Sequence, residues 1–377
     1  MNGCRPPAYT GPSLRHGKIE RKLEAEPSVR VAVARDRKQT DMGCAGPCEV
    51  WAGPPGRALY EAKDLSLELS VTEAGFTVNG RPVEGEWLAV RPRQGIPLRL
   101  NDKEYPGEMH VTRQGAGLTV VNVLPAERYL GGVVAKEMRP SWPAEALKAQ
   151  AVAARSYAMY QIRLRQDKPY DVVATSRSQR YLGASLDQRV DDAVAATRGL
   201  VLAHDGRVVP GFYHSTCGGH TANAAKVFAM KHLDFLQGVP CEFCERSPYA
   251  TWTIEVTNEE LAEALSKPGR PVSKVTALQV LGRGEDGRFD KIRVFTGADQ
   301  FDVKALHFRY ALGTYRLKSA RFQLETAPVG FLIRGEGFGH GVGMCQYGAR
   351  GMAERSASFR QILAKYYAKT ELAALYD

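Results

Sequence analysis

Apolar and polar positions alternate along much of the first third of the chain. Residues 29–34 (Val-Arg-Val-Ala-Val-Ala), 49–52 and 65–71 (Leu-Ser-Leu-Glu-Leu-Ser-Val) repeat with period 2, which predicts short strands. Asn79-Gly80 predicts a hairpin turn after a strand at 75–78, because both residues tolerate positive φ. Strands are also expected at 109–112 and 118–123. The period then changes, and helices are expected over 126–138 and 143–165, with Pro140 and Pro143 breaking the chain between them. A third helix is expected over 187–198. A fourth covers 258–267, which Thr257 or Asn258 can cap and Pro268-Gly269 ends. Strands resume at 200–203, 208–214, 291–295 and 330–334, and a helix containing Ile362 and Tyr367 closes the chain. Helices cluster in the first half and strands dominate the second. The expected class is therefore α+β, with a mixed or antiparallel sheet. Residues 1–27, rich in Pro, Gly and charge, read as a flexible leader, 28–95 as a small N-terminal β module, and 96–377 as the main domain.

Composition narrows the class of partner. At 377 residues the chain can build one large core or two domains, and 44% hydrophobic with 24% charged residues is ordinary for a soluble globular protein. No apolar stretch reaches the roughly 18 residues of a membrane span. The net charge of +10 makes nucleic acid the first partner to consider. The positive residues are scattered among Asp and Glu, however, with no basic stripe, so nucleic acid is not expected; a polyanionic wall polymer would be attracted by the same diffuse charge. No apolar segment of an export signal is visible in residues 1–30. Met1-Asn-Gly-Cys4 reads either as the tail of a lipoprotein cleavage site, with Cys4 lipidated, or as a chance Gly-Cys.

Two constellations carry candidate chemistry. Tyr129-Leu-Gly-Gly-Val-Val-Ala-Lys-Glu137-Met ends an apolar segment in a carboxylate just before the prolines, which puts Glu137 where the chain turns. Val133, Val134, Met138 and Trp142 could supply apolar walls around it. The second is His214-x2-Cys217-x2-His220 followed by Cys241-x2-Cys244, the spacing of a structural zinc site with Cys217, His220, Cys241 and Cys244 as ligands. A disulfide between two of the three cysteines is the alternative. Cys44-x3-Cys48 reads either as a short disulfide or as two idle thiols. Gly337-x-Gly-His340-Gly-x-Gly lacks the Lys-Ser/Thr of a nucleotide loop, and its glycines fit close backbone approach around His340 and Gln346.

Further stretches complete a pattern. Asn122-Val-Leu-Pro-Ala-Glu-Arg-Tyr-Leu130 leads into the Glu137 segment, and Ser141-Trp-Pro-Ala-Glu-Ala-Leu-Lys-Ala-Gln-Ala-Val-Ala-Ala-Arg155 follows it. Gln179-Arg-Tyr-Leu-Gly183, Tyr213-His-Ser-Thr-Cys-Gly-Gly-His-Thr221 and Gly337-Phe-Gly-His-Gly-Val-Gly-Met-Cys-Gln-Tyr-Gly-Ala349 come later. In order and spacing, over roughly residues 96 to 372, the chain resembles the SpoIID/LytB family of stage II sporulation protein D and amidase-enhancer-like proteins. The resemblance implies a peptidoglycan lytic transglycosylase that leaves 1,6-anhydro-muramyl ends. Glu137, the Glu of the family's Val-Val-x-x-Glu-Met stretch, would be its sole acid/base, acting without a cofactor. Gln150, Arg155, Tyr157, Gln179, Tyr181, His340 and Gln346 lie in or beside matched stretches and would bind substrate; Arg155 reads equally as a buried anchor of its helix, and His340 as a structural histidine. The resemblance also implies an extracytoplasmic location and peptidoglycan glycan strands as partner, with another wall hydrolase or amidase as a further one. Its alternative is a non-catalytic wall-binding enhancer of a separate amidase. Zinc occurs in some family members nearer the segment matching residues 170–179, where this chain has neither Cys nor His. The family's usual Met-Ser-Gln-Tyr-Gly reads Met-Cys345-Gln-Tyr-Gly here.

Overall fold

Leu65, Leu67 and Leu69 point to the covered side of the strand Leu65–Thr72, while Ser66 and Glu68 face solvent, as period-2 alternation requires. The computed structural model describes residues 7–52, 58–72, 75–83, 87–93, 95–297 and 299–377. The chain divides into two units, His16–Pro210 with Leu372–Asp377, and Met1–Arg15 with Gly211–Glu371.

Two large sheets build the first unit, with a small three-stranded one of Arg207–Val208, Leu200–His204 and Glu371–Ala374. A seven-stranded sheet runs in the order Val172–Val173, Ser28–Arg37, Gly117–Pro125, Glu108–Gln114, Trp87–Pro92, Cys48–Ala52, Ala58–Ala62. Its pairs are antiparallel except Val172–Val173, which runs parallel to Ser28–Arg37. An antiparallel six-stranded sheet contains Lys103–Tyr105, Leu98–Leu100, Gln39–Cys44, Leu65–Thr72, Gly75–Val78 and Arg81–Pro82. Asn79 and Gly80 make the expected turn, at φ 51° and 74°. Strands from both sides of residue 95 share each sheet: Ser28–Arg37 pairs with Gly117–Pro125, and Gln39–Cys44 with Leu98–Leu100. The sequence-based boundary there thus runs through the hydrogen-bond ladders. Part of the expected flexible leader is also held, since the N–H groups of Gly17 and Leu23 donate to Leu372 O and Leu375 O, each at 2.8 Å.

Pro125 ends the buried strand Gly117–Pro125 and opens helix α1 (Ala126–Glu137). Helix α2 (Ala144–Leu164) is buried at every position from Ala149 to Tyr160, as an interior helix with small side chains all round can be. It packs against α1, against α3 (Gln188–Ala195) and against the strand Leu200–His204. Asp187 caps α3, accepting from Arg189 N; the helix stops short of the expected 198 as the chain turns through Gly199 at φ 65°. A Cβ on Gly132 of α1 would collide with Gly183 O and the Tyr181 ring, so the close approach of residues 181–183 to α1 needs glycine there.

The second unit holds two antiparallel three-stranded sheets, Thr251–Thr257/Gly330–Glu336/Phe322–Ala327 and Val275–Arg283/Phe289–Thr296/Gln300–Lys304. Trp252, Phe289, Ile292, Phe308, Phe322 and Ile333 share its core. Helix α4 (Ala224–Phe228) is short. Helix α5 (Asn258–Leu265) is capped by Thr257, one of the two caps the sequence offers, and Glu260 completes a capping box with it. Helices α6 (Ala305–Ala311), α7 (Gln346–Glu354) and α8 (Phe359–Tyr366) follow. The strand expected over 208–214 is broken by Pro210 and Gly211, and only Tyr213–His214 continues, parallel to Met344–Cys345. The whole is α+β.

Candidate functional site

Glu137 is the last residue of α1, and the chain turns immediately after it, with Trp142 N–H donating to Arg139 O at 2.9 Å. Its side chain is half-buried, and Oε1 accepts a 2.7 Å hydrogen bond from the backbone N–H of Arg180. Val133, Val134, Met138 and Trp142, the apolar neighbours expected around it in sequence, are all buried.

The segment that supplies this donor is extended, with 179, 181 and 183 buried and 180 and 182 exposed. Tyr129 OH donates to Gln179 Oε1 at 3.0 Å, and Gln179 Nε2 donates to Ala154 O at 3.2 Å. Tyr181 OH donates to Asn122 Oδ1 at 2.8 Å, and its ring lies 5.2 Å from that of Tyr129. Burial pushes the Tyr129 and Tyr181 phenols up, so both stay neutral donors. Interior side chains on α1 and the sheet, with a backbone carbonyl of α2, therefore set the position of the Arg180 N–H.

Most of the sequence-based substrate set lies inside the first unit. Gln150, Arg155, Gln179 and Tyr181 are 0–1% exposed and Tyr157 is 9% exposed. Arg155 is bound on all sides. Its Nε and Nη2 donate to the two oxygens of Glu127 at 2.8 and 2.6 Å, and Nη1 donates to Leu200 O at 3.1 Å. Glu127 also accepts from Tyr376 OH at 2.6 Å and from Gly199 N–H at 3.3 Å. A bidentate, buried guanidinium of this kind anchors elements. The group that sequence reading missed beside Glu137 is the Arg180 N–H, which a side-chain inventory cannot reveal.

His340 and Gln346 belong to the second unit. Gln346 is buried at the first position of α7. His340 Nδ1 accepts from Val342 N–H at 3.1 Å, and its ring contacts those of Phe228 at 5.1 Å and His214 at 5.6 Å. Desolvation first, and then the charges of Arg309 and Arg288, push its imidazole down to about 3, so it is neutral at physiological pH. It lines a cleft of about 490 Å³ with Phe228, Arg288, Lys304 and Arg309.

The sulfurs of Cys217, Cys241, Cys244 and Cys345, all buried, lie within 4.8 Å of one another. The expected set named His220 with the three cysteines Cys217, Cys241 and Cys244; the sulfur standing with those three is that of Cys345. His220 turns its Nδ1 to Thr221 O at 2.7 Å. The parallel pairing of Tyr213–His214 with Met344–Cys345 instead brings Cys345 to the fourth corner, where its Sγ accepts from Cys217 N–H at 3.3 Å. The Cys at the family's usual Ser was the signal that could have found it. Cys44 and Cys48 are buried and unbridged; Cys4 lies outside the described residues.

An α+β protein that sets one carboxylate at a helix end against a tyrosine–glutamine frame, and that carries a tetracysteine cluster in its second unit, defines the kind of molecule. Comparison with known proteins supplies the family. The stage II sporulation protein model (SpoIID) matches residues 114–204, and that of a domain of unknown function (DUF8618) matches residues 233–343. An uncharacterized protein of Brachyspira hyodysenteriae is 35% identical over 316 residues, 82% of this chain and 84% of that one. Stage II sporulation protein D of Bacillus amyloliquefaciens is 31% identical over 78% of this chain and 86% of its own length. The amidase enhancer of Bacillus subtilis is 26% identical over 83% of this chain and 50% of its own length. The chain belongs to the SpoIID/LytB family.

Proposed function

We propose that this protein is an extracytoplasmic peptidoglycan lytic transglycosylase in which Glu137 is the acid and then the base. The observation that carries the reading is the half-buried Glu137 carboxyl, held at the end of α1 by the Arg180 N–H, at the position of the family's Val-Val-x-x-Glu-Met. Protonated Glu137 donates its proton to the glycosidic oxygen as the bond from that oxygen to the anomeric carbon breaks. The muramyl 6-hydroxyl then attacks the anomeric carbon, and Glu137 takes the hydroxyl proton back. The products are one free sugar hydroxyl and one 1,6-anhydro ring, so neither water nor a second carboxylate enters the balance. The net charge of +10 suits a polyanionic wall. Among the described residues no helix is long and apolar enough to cross a membrane.

A second reading rests on the relative named an amidase enhancer: the protein binds the wall and stimulates a separate amidase without cutting glycan. Incubation with purified sacculi separates the two. New 1,6-anhydro ends seen by mass spectrometry support the first reading. Salt-sensitive binding with no new ends, and faster release of stem peptides when an amidase is added, supports the second.

A further inference from the structure

We propose that Cys217, Cys241, Cys244 and Cys345 hold one structural zinc ion as a closed tetrathiolate site in the second unit. The argument is geometric and independent of any activity on glycan. All four sulfurs lie within 4.8 Å of one another, with Cys217 and Cys244 at 3.5 Å. A tetrahedral zinc site with bonds of about 2.3 Å has sulfur–sulfur edges of roughly 3.8 Å, so one ion fits with small adjustments. The sulfurs of a cubane iron–sulfur cluster sit on separate corners and need a wider cage.

The surroundings are those of thiolates. Cys345 caps α7, and its Sγ accepts from Cys217 N–H and Gly348 N–H, both at 3.3 Å. Cys241 Sγ lies 3.2 Å from Tyr366 OH. Donors of this kind orient ligands and spread the negative charge of four thiolates. Arg288, buried and paired with Asp286 at 3.2 Å, lies close by; its Nη2 donates to Cys217 O at 2.7 Å and its Nη1 to His220 O at 2.8 Å. The four ligands leave no open position, so the ion would activate no water.

The work of such an ion is mechanical. Its ligands come from three segments far apart in sequence: the turn after Tyr213–His214, the Cys241-x2-Cys244 knuckle and the start of α7. Between residues 217 and 250 the only regular element among the described residues is the short α4. A tetrathiolate ion would pin that irregular stretch in addition to its few buried apolar side chains, Leu233, Phe235 and Leu236 among them.

The test uses the full-length protein as purified. Elemental analysis is expected to give about one zinc per chain, and replacing zinc by cobalt(II) should give the intense visible absorption and sulfur-to-metal charge transfer of a tetrahedral thiolate site. Cys345→Ser should lower zinc affinity by more than the roughly 10–100-fold that loss of an outer partner costs, whereas His220→Ala should leave zinc content unchanged. The cobalt spectrum of the unmutated chain decides the matter even if Cys345→Ser fails to fold. Metal-free protein carrying a Cys217–Cys244 disulfide by mass spectrometry, iron in place of zinc, or zinc lost with His220 and kept without Cys345 each overturns the proposal.

Discussion

Arg155 and Glu127 face each other inside the first unit through two parallel N–H···O contacts of 2.8 and 2.6 Å, with Arg155 0% exposed. The pair ties α2 to the first turn of α1, and Gly199 and Tyr376 close around the same carboxylate. Removing one member should therefore be far worse than removing both. Arg155→Met is expected to lower the unfolding free energy by about 3–5 kcal/mol in urea titrations, because it strands a buried carboxylate. Arg155→Met combined with Glu127→Leu should regain part of that loss. A single variant as stable as wild type would show that the pair anchors nothing.

The same pair sets an acid limit to stability. Burial works to raise the Glu127 carboxyl, but the hydrogen bonds and charge of Arg155, with those of Tyr376 and Gly199, outweigh it and hold the group below the ordinary carboxylate range. With the folded value below the unfolded one of about 4.3, the contribution is complete above that pH and disappears as pH falls through the folded value. Thermal melting of wild type should thus fall more steeply below about pH 4.3 than that of Glu127→Gln. Equal acid slopes for the two proteins would remove Glu127 as the cause.

Gly132→Ala tests the contact between α1 and the segment beside Glu137. The added methyl meets Gly183 O and the Tyr181 ring, and a cost of about 1–3 kcal/mol is expected. Since residues 179–183 carry the donor to Glu137, glycan cleavage should fall more than stability alone explains at a temperature where the variant is fully folded. Unchanged melting would mean that the backbone shifts freely there.

Glu137→Gln keeps the shape and can still accept from the Arg180 N–H, but it cannot donate and recover a proton. Release of anhydro products should fall by about 10²–10⁴-fold, while melting temperature and sacculus binding stay close to wild type. Wild-type turnover in this variant would remove Glu137 from the chemistry.

Local signals in the sequence located much of the fold. Proline punctuation and the Ala-rich run marked α1 and α2 to within one residue at either end, Asn79-Gly80 marked the hairpin, and Thr257 or Asn258 marked the start of α5, where Thr257 is the cap. Long-range pairing left no such mark. Nothing local says that Ser28–Arg37 lies against Gly117–Pro125, or that Cys345 comes to Cys217. Single polar residues within apolar stretches were ambiguous for a related reason: Gln150, Arg155, Gln179 and Tyr181 suit a ligand or an interior network equally well, and only their burial separates the two.

The alternation at 179–183 leaves the Arg180 side chain in solvent while its backbone N–H meets Glu137. The carboxyl is thus oriented by a group that every amino acid except proline carries. Position 180 is consequently permissive: its charge and size can be redrawn without losing the N–H that meets the Glu137 carboxyl.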